Sequence, residues 1–575
     1  MNLFHLGSEP SHRLDLVSKS DEPGSRLFVG ESATLLTVLG VALAIRIYLA
    51  MTSYCISGDG VAYLAIARQF ADGRWHGALN AVYSPLYPLL ISLMHSRFLD
   101  WEMTGNLLSV ILGTAAVATT YWMTREAFGR WDLALGAAIL MALHPETTAY
   151  SASVRTEAGY LFLTTGAGWL LLKASNQRRV LIAAVAGITA GLAYLYRTEA
   201  IGFLALGIFW LFLSGWVWKR ASLAWALTAA GIFAGAFIVV AAPYLAYLRF
   251  STGHWSIGRE FAAAMMYGMG DVAHDGDRWR RLGWSATASP LAIILDTPRL
   301  YAAKVGWYFL VSFYNFVQAL DPLLTVMLAI GIWASKHTLL VGVSSSVGNE
   351  GSEPSGSLFG SAPHLVATTK GDPNRNGEIL LVAIVLFYFG GFTLSYTGTR
   401  FMAHLIPFVF GWVTAGIIVV SEQAAQWFKP SIRRSVFAVV PAIIALTLLP
   451  RTLWPIGYNM RGVRYAGDAI ARIKKGPAAV AARDGRAAYY AGARLIQLPR
   501  TPPAEVCEWL RANHGDFLLI GNHDEHDFNL TPTPHCLKLL KRYPRYRSQY
   551  YDLYAVQPIE PVSPSETVGP DRQAP

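Results

Sequence analysis

The chain is short of charge: Asp, Glu, Lys and Arg supply only 15% of its 575 residues, against roughly 25% in an ordinary soluble protein. That is too little to solvate the three or four soluble domains that the length would otherwise allow. Cysteine is scarcer still. Three residues exclude a disulfide-dense scaffold and an iron–sulfur protein with a cysteine tetrad. Cys507 and Cys536 can pair in an oxidising compartment, which leaves Cys55 over. No GxGxxG fingerprint and no GxxxxGK[ST] loop is present, so a soluble nucleotide is not the expected ligand. Nor do two matched internal repeats stand out, as they often do in secondary transporters. Residues 1–32 mix acidic Glu9, Asp15, Asp21, Glu22 and Glu31 with basic ones ahead of a late apolar run, unlike a cleaved signal peptide.

What the chain has in quantity is apolar length. Hydrophobic residues make up 53%, and runs of about 20 recur through the first 450 positions, each able to cross roughly 30 Å of hydrocarbon. Eleven spans are expected, at 33–52, 104–122, 132–147, 156–173, 180–196, 200–217, 221–248, 321–336, 379–397, 401–420 and 434–450. The interrupted stretches 83–98 and 301–319 are interfacial or re-entrant, or raise the count to thirteen. The fold class is thus a polytopic α-helical membrane protein with about 11–13 transmembrane helices.

The net charge of +10 lies largely in short loops, where it reports orientation before nucleic acid. Arg125 and Arg130; Lys173, Arg178 and Arg179; Lys219 and Arg220; Lys336 and Lys370; and Lys429, Arg433 and Arg434 fall in alternate loops. The positive-inside bias assigns these, with segment 1–32, to the cytoplasm. Loop 53–103, residues 148–155, the turns at 197–199 and 398–400, segment 249–320 and everything after 450 then face outward. Residues 337–378, with SSSVGNEGSEPSGS, read as a disordered cytoplasmic loop. Residues 451–553 read as a small external α/β domain, with DFLLIG as a strand and GDAIARI and EVCEWLRA as helices, and 554–575 as a tail.

Polar residues concentrate on the outward face. Asp59, directly after the first span, heads an amphipathic stretch over 61–71 and suits a general base; an N-terminal helix cap is the plainer reading. His144, Glu146, Arg155 and Glu157 form a second group, and Arg197 with Glu199 a third. Ionisable residues at membrane depth are costly unless paired or facing water. Arg400 can fork two phosphate oxygens, with His404 four residues on, or it can snorkel to the interface. No local cluster has diagnostic metal spacing; Asp59 and Glu157 sharing a divalent ion is an open alternative, and GNHDEHDFN (521–529) reads as a solvated loop. RAAYYAGAR and RYPRYRSQYYDLY supply either sugar-stacking rings or a domain core.

Over residues 33–450 the chain resembles GT-C superfamily glycosyltransferases, in the group of protein O-mannosyltransferases, lipid A aminoarabinose transferase and bacterial family 39 proteins. The resemblance rests on SGDGVAYLAIARQFADG, YSPLYPLLISL, TREAFGRWDLALGAAILMALHP, SVRTEAGYLF, GLAYLYRTEAIGFL and GTRFMAHLIPFVFG, in that order. It implies a GT-C-like transmembrane catalytic domain over 33–450 and sugar transfer from a polyprenyl phosphate donor to a lipid, glycan or protein acceptor on the outward face of the inner (plasma) membrane. No cofactor is expected, with a divalent metal left open, and no nucleic acid partner. By motif position, Asp59 and Glu157 match the catalytic carboxylates and Arg400 the donor-phosphate arginine. Where relatives read Lys-Pro-Pro-Leu, this chain has Ser84, Pro85 and Leu86 after Tyr83. Phosphate contacts then fall to Arg400, Arg197, Arg68, Ser84 and His404, and substrate contacts to Tyr63, Tyr83, Arg155 and Glu199. A multispan transporter and a polymerase or ligase of lipid-linked saccharides are the competing classes.

Overall fold

In the computed structural model the helices start and stop at the residues that chemistry favours there. The structure describes residues 23–216, 222–253, 255–258, 260–273, 290–344, 375–499, 505–522, 530, 533–545 and 549–557. Asp100 caps the helix Trp101–Phe128 by accepting from the Met103 N–H, and Gly129 closes it at φ 68°. Ser222 and Gly253 bracket Leu223–Thr252 in the same way. Seven described helices are long and apolar enough to cross a membrane: Gly30–Met51, Trp101–Phe128, Thr198–Trp216, Leu223–Thr252, Gly377–Leu394, Thr399–Gln426 and Arg433–Thr452. Pro298–Leu320 and Pro322–Ser335 form a further pair, bent by 100° at Asp321, whose φ is 83°. Glu157–Gln177 and the shorter apolar helices Trp131–Leu143 and Val180–Tyr196 pack among them. The stretch 83–98 yields only the nine-residue helix Leu86–Met94, about 13 Å long and unable to cross.

The helix bundle is built inside out. Leu386, Leu446, Val239 and Phe209 are exposed on its outer surface, whereas small residues fill the helix contacts. A Cβ on Gly331 would lie 1.8 Å from the Trp412 carbonyl oxygen, and one on Gly416 would lie 1.9 Å from that of Met327. Those two glycines let Pro322–Ser344 and Ile406–Gln426 meet backbone to backbone. Buried Arg46 makes a different repair. Pro145 has no N–H to offer the Met141 carbonyl, so the helix Trp131–Leu143 breaks there. Arg46 donates to the Met141, Ala142 and Ala42 carbonyls instead.

Residues 337–344 continue a helix rather than joining a loop, because the apolar run carries on past Lys336, and 375–378 open the next helix; the Ser- and Gly-rich 345–374 lies outside the described residues, as do segments 1–22, 523–529 and 558–575. Beyond Thr452 the helix Arg461–Ile473 buries Val463, Ala466, Gly467 and Ile470, one stripe at helical spacing. It covers a five-stranded sheet of order β2-β1-β3-β5-β4, with β1 Ala479–Ala482, β2 Arg494–Gln497, β3 Phe517–Gly521, β4 Leu537–Pro544 and β5 Tyr550–Val556. β1 pairs parallel with β2 and β3, while β5 pairs antiparallel with β3 and β4. β1 and β3 are buried on both faces, and β5 carries the sheet three residues past 553 because Leu553, Tyr554 and Val556 still have core to fill. Cys507 and Cys536 form a disulfide with a Cα–Cα distance of 5.9 Å. Buried Asp552 receives a bidentate Arg542 at 2.7 and 2.8 Å. Arg486 holds the Asp484 carboxyl below its usual range, against the opposing effect of burial.

The sheet domain docks on the first loop of the membrane part. Tyr490 Oη accepts from the Ile56 N–H at 2.7 Å and lies 3.2 Å from a Glu102 carboxylate oxygen. Arg464 donates to the Tyr54 carbonyl, and the Tyr54 N–H to the Ile456 carbonyl at 2.8 Å. Cys55, enclosed at this seam, has its thiol pushed up to about 12 by burial and is inert as a nucleophile.

Candidate active site at the meeting of the loops

Asp59 stands in the first turn of the helix Gly58–Ala71, whose N-terminus is doubly fixed. Ser57 Oγ accepts from the Gly60 N–H at 2.9 Å and donates to the Val154 carbonyl at 2.8 Å. A Cβ at position 60 would meet the Ile56 and Ser57 side chains at 2.8 Å, so only glycine lets this turn lie against residues 153–155. The cap is therefore Ser57, and the Asp59 carboxylate is left for another partner.

That partner is Arg400. Its NH1 lies 2.5 Å from Asp59 Oδ2, and its Nε bonds Glu157 Oε1. Glu157 opens the helix Glu157–Gln177 and is wholly buried, whereas the Asp59 side chain keeps 39% of its accessibility. Arg197 approaches Glu157 Oε1 at 3.5 Å, reaches Thr156 Oγ1 at 3.3 Å, and forks Glu199 at 2.6 and 3.3 Å. The Tyr388 hydroxyl donates to the Glu199 carbonyl, and the Arg197 guanidinium lies over the Tyr160 and Phe401 rings. One exposed and one buried carboxylate thus share a single guanidinium, and a second guanidinium braces the buried one from behind. Burial of Glu157 is tolerable because two cations face it; its Oε2 has no hydrogen-bond partner among the described residues.

Other predicted residues fall elsewhere. Arg68 extends from the exposed side of its helix toward the Trp101 and Tyr489 rings, at 5.8 and 5.7 Å. It sits nine residues from Asp59, about 13 Å along the axis, so it belongs to the seam with the sheet domain. His404 does not share an exposed face with Arg400, because the chain tightens to a 3₁₀ turn at Ala403–Leu405. Its ring is buried beside Tyr160 at 4.6 Å, and neither ring nitrogen has a hydrogen-bond partner among the described residues. Arg155 stacks on Tyr150 at 5.3 Å and is not among the ion pairs to Glu157. Tyr63 is a core residue, edge-on to Tyr83 and Tyr87 at 5.3 Å each. Ser84 is buried, and among the described residues its hydroxyl has no partner. The sharing of a divalent ion by Asp59 and Glu157 meets a guanidinium already between them, and among the described residues no group of three metal-ligating side chains converges. His144 is buried, with Nε2 3.3 Å from the Leu320 carbonyl. Of the tyrosine-rich stretches, Tyr543, Tyr551 and Tyr554 lie in the sheet-domain core, whereas Tyr489, Tyr490 and Tyr550 are half-buried.

Lys304 was missed by the sequence reading. It is fully buried on Pro298–Leu320, and its Nζ donates to the Thr393, Leu394 and Ser395 carbonyls. The signal was present as Lys304, Tyr308, Ser312 and Asn315, polar residues at spacings of four, four and three along a helix.

Residues 82–247 match the family described as dolichyl-phosphate-mannose-protein mannosyltransferase. Among solved structures, the chain is similar to the Archaeoglobus fulgidus oligosaccharyltransferase, crystallised with Zn and sulfate, at 15% identity and TM-score 0.53 over 84% of this chain and 67% of that one. It is similar also to ArnT from Cupriavidus metallidurans bound to undecaprenyl phosphate, at 12% identity and TM-score 0.53 over 92% of this chain and 98% of that one. No curated protein sequence matches the chain. The fold is that of polytopic membrane proteins with a bundle of helices and an appended soluble domain. The fold is thus shared with these two solved structures, and the family match covers residues 82–247 of the 575.

Proposed function

We propose that the protein transfers a sugar from a polyprenyl phosphate donor to a lipid, glycan or protein acceptor, on the outward face of the inner (plasma) membrane. The amino end would be cytoplasmic and the sheet domain external. The observation that carries this reading is the Arg400 guanidinium held between half-exposed Asp59 and buried Glu157. The undecaprenyl phosphate bound by ArnT, which has the same fold, supports the donor class.

The chemistry follows from the unequal burial of the two carboxylates. Glu157 cannot reach water, so it serves to orient Arg400 and Arg197. A donor phosphate arriving at Arg400 competes with Asp59 for the guanidinium and takes over its charge-assisted bonds. Asp59, displaced but still within a few ångströms, accepts the proton of an acceptor hydroxyl or amine. The acceptor lone pair forms the new bond at the sugar's anomeric carbon as the bond to the phosphate oxygen breaks, and the electron pair leaves with the phosphate. Arg400 meets that developing charge. The configuration at the carbon inverts, and the polyisoprenoid tail stays in the lipid throughout.

The test is incubation of the purified protein with a panel of polyprenyl phosphate sugars and membrane extract, with mass spectrometry of donor loss and acceptor gain. Donor-dependent addition of one sugar is the expected result. Folded protein that consumes no lipid-linked sugar and moves a small solute across vesicles would replace the proposal with a transporter.

A further inference from the structure

The helix Pro298–Leu320 is two-sided. Trp307, Phe309, Leu310, Phe313 and Tyr314 are exposed, while Lys304, Tyr308, Ser312 and Asn315 face the segment that leads into Arg400. Lys304 Nζ donates to the Thr393 carbonyl at 3.1 Å, to Leu394 at 2.7 Å and to Ser395 at 2.6 Å. Those are carbonyls at the C-terminal end of Arg375–Leu394, which a helix leaves without internal partners and where positive charge is favoured. Thr393 Oγ1 donates to Ser312 Oγ at 3.0 Å. Asn315 then grips both sides of Gly398: its amide N–H reaches Thr397 Oγ1, and its carbonyl oxygen accepts from Thr399 Oγ1, each at 3.4 Å. Residues 396–398 have no regular secondary structure, so side-chain anchors set where Arg400 begins.

We infer that this polar stripe, with Lys304 and Asn315 as its two ends, is a positioning device for Arg400 and thereby sets the affinity for the donor phosphate. The inference rests on the proposed role of Arg400. It deepens that role by adding residues that touch neither substrate nor Arg400 itself. Lys304 holds the backbone carbonyls of 393–395 and Asn315 the side-chain hydroxyls of Thr397 and Thr399, while Asp59 and Glu157 hold the guanidinium at the other end. Loosening the backbone therefore costs Arg400 the geometry in which it meets a phosphate and both carboxylates at once.

The experiment is polyprenyl phosphate binding by full-length protein, paired with donor and acceptor KM, for Lys304→Met and separately for Asn315→Ala. Each variant is measured in the wild-type and the Arg400→Ala background. Loss of buried hydrogen bonds of this kind predicts roughly tenfold weaker phosphate binding and a matching rise in donor KM. Acceptor KM stays unchanged, and in the Arg400→Ala background neither substitution weakens binding further. Asn315→Ala carries the test if Lys304→Met fails to fold. Unchanged binding in the folded variants, or an equal loss in both backgrounds, overturns the inference. Wild-type protein that binds no polyprenyl phosphate overturns the donor reading, and this inference with it.

Discussion

The two ends of the chain solve opposite problems. In the membrane part the helices are apolar and plain, and the chemistry comes from loops far apart in sequence: Asp59 meets Arg400 across 341 positions. In the sheet domain the core is assembled from residues 460–556, and its ion pairs join closer neighbours: Arg486 with Asp484, Arg542 with Asp552 and Lys474 with Asp516. An ion pair inside the sheet domain holds a fold. In the proposed mechanism the one at the mouth of the helix bundle holds reactive groups, because a second partner can displace the exposed carboxylate while the buried one stays.

The sharpest way to break that contrast is Asp59→Asn. It conserves size and leaves Arg400 its bond to Glu157, so insertion and phosphate binding persist while transfer falls by about 10² to 10⁴. The measurement is donor turnover at saturating substrate. Glu157→Ala acts differently: it leaves Arg400 and Arg197 without their shared anion. Breaking a buried pair typically costs about 3–5 kcal/mol, so a lower melting temperature accompanies the lost turnover. In Asp59→Asn the melting temperature stays near that of the wild type.

The sheet domain supplies smaller and separable effects. Replacing Cys507 and Cys536 with serine together removes a link worth about 2–4 kcal/mol. Hydrogen exchange rises over β3 and β4, while transfer to a simple acceptor is retained. Asp484 adds a pH dependence. Its carboxyl is depressed by Arg486, so its contribution to stability is complete above the ordinary carboxylate pKa of about 3.9. That contribution is lost as pH falls through the depressed folded value. Acidification below about pH 4 therefore loosens the β1 end of the sheet domain in wild type more than in Asp484→Asn, as followed by hydrogen exchange.

Much of the membrane architecture was legible because apolar length and basic loops are properties of contiguous sequence. The loops assigned to one side do meet there: 57–59 with 154–157 and 400, and 54–56 with 456 and 490. The candidates Asp59, Glu157, Arg197, Glu199 and Arg400 emerged from the same argument, since charge at a span end needs a reason. Arg68 and His404 could not be placed that way. Helical spacing put both on plausible faces, but the seam with the sheet domain claimed Arg68, and a 3₁₀ turn rotated His404 into the core. Lys304 and Arg46 escaped for the converse reason. Each neutralises carbonyls at a helix end set elsewhere in the chain, and no local pattern announces which carbonyls those will be.

In the proposed mechanism Arg400 exchanges Asp59 for a donor phosphate while keeping Glu157. The most direct measurement of that exchange is the carboxylate infrared difference spectrum on adding polyprenyl phosphate, with isotope-edited Asp and the Asp59→Asn protein as reference. Displacement of Asp59 gives one perturbed Asp carboxylate band that is absent from Asp59→Asn. Phosphate binding with the Asp59 band unmoved would contradict it.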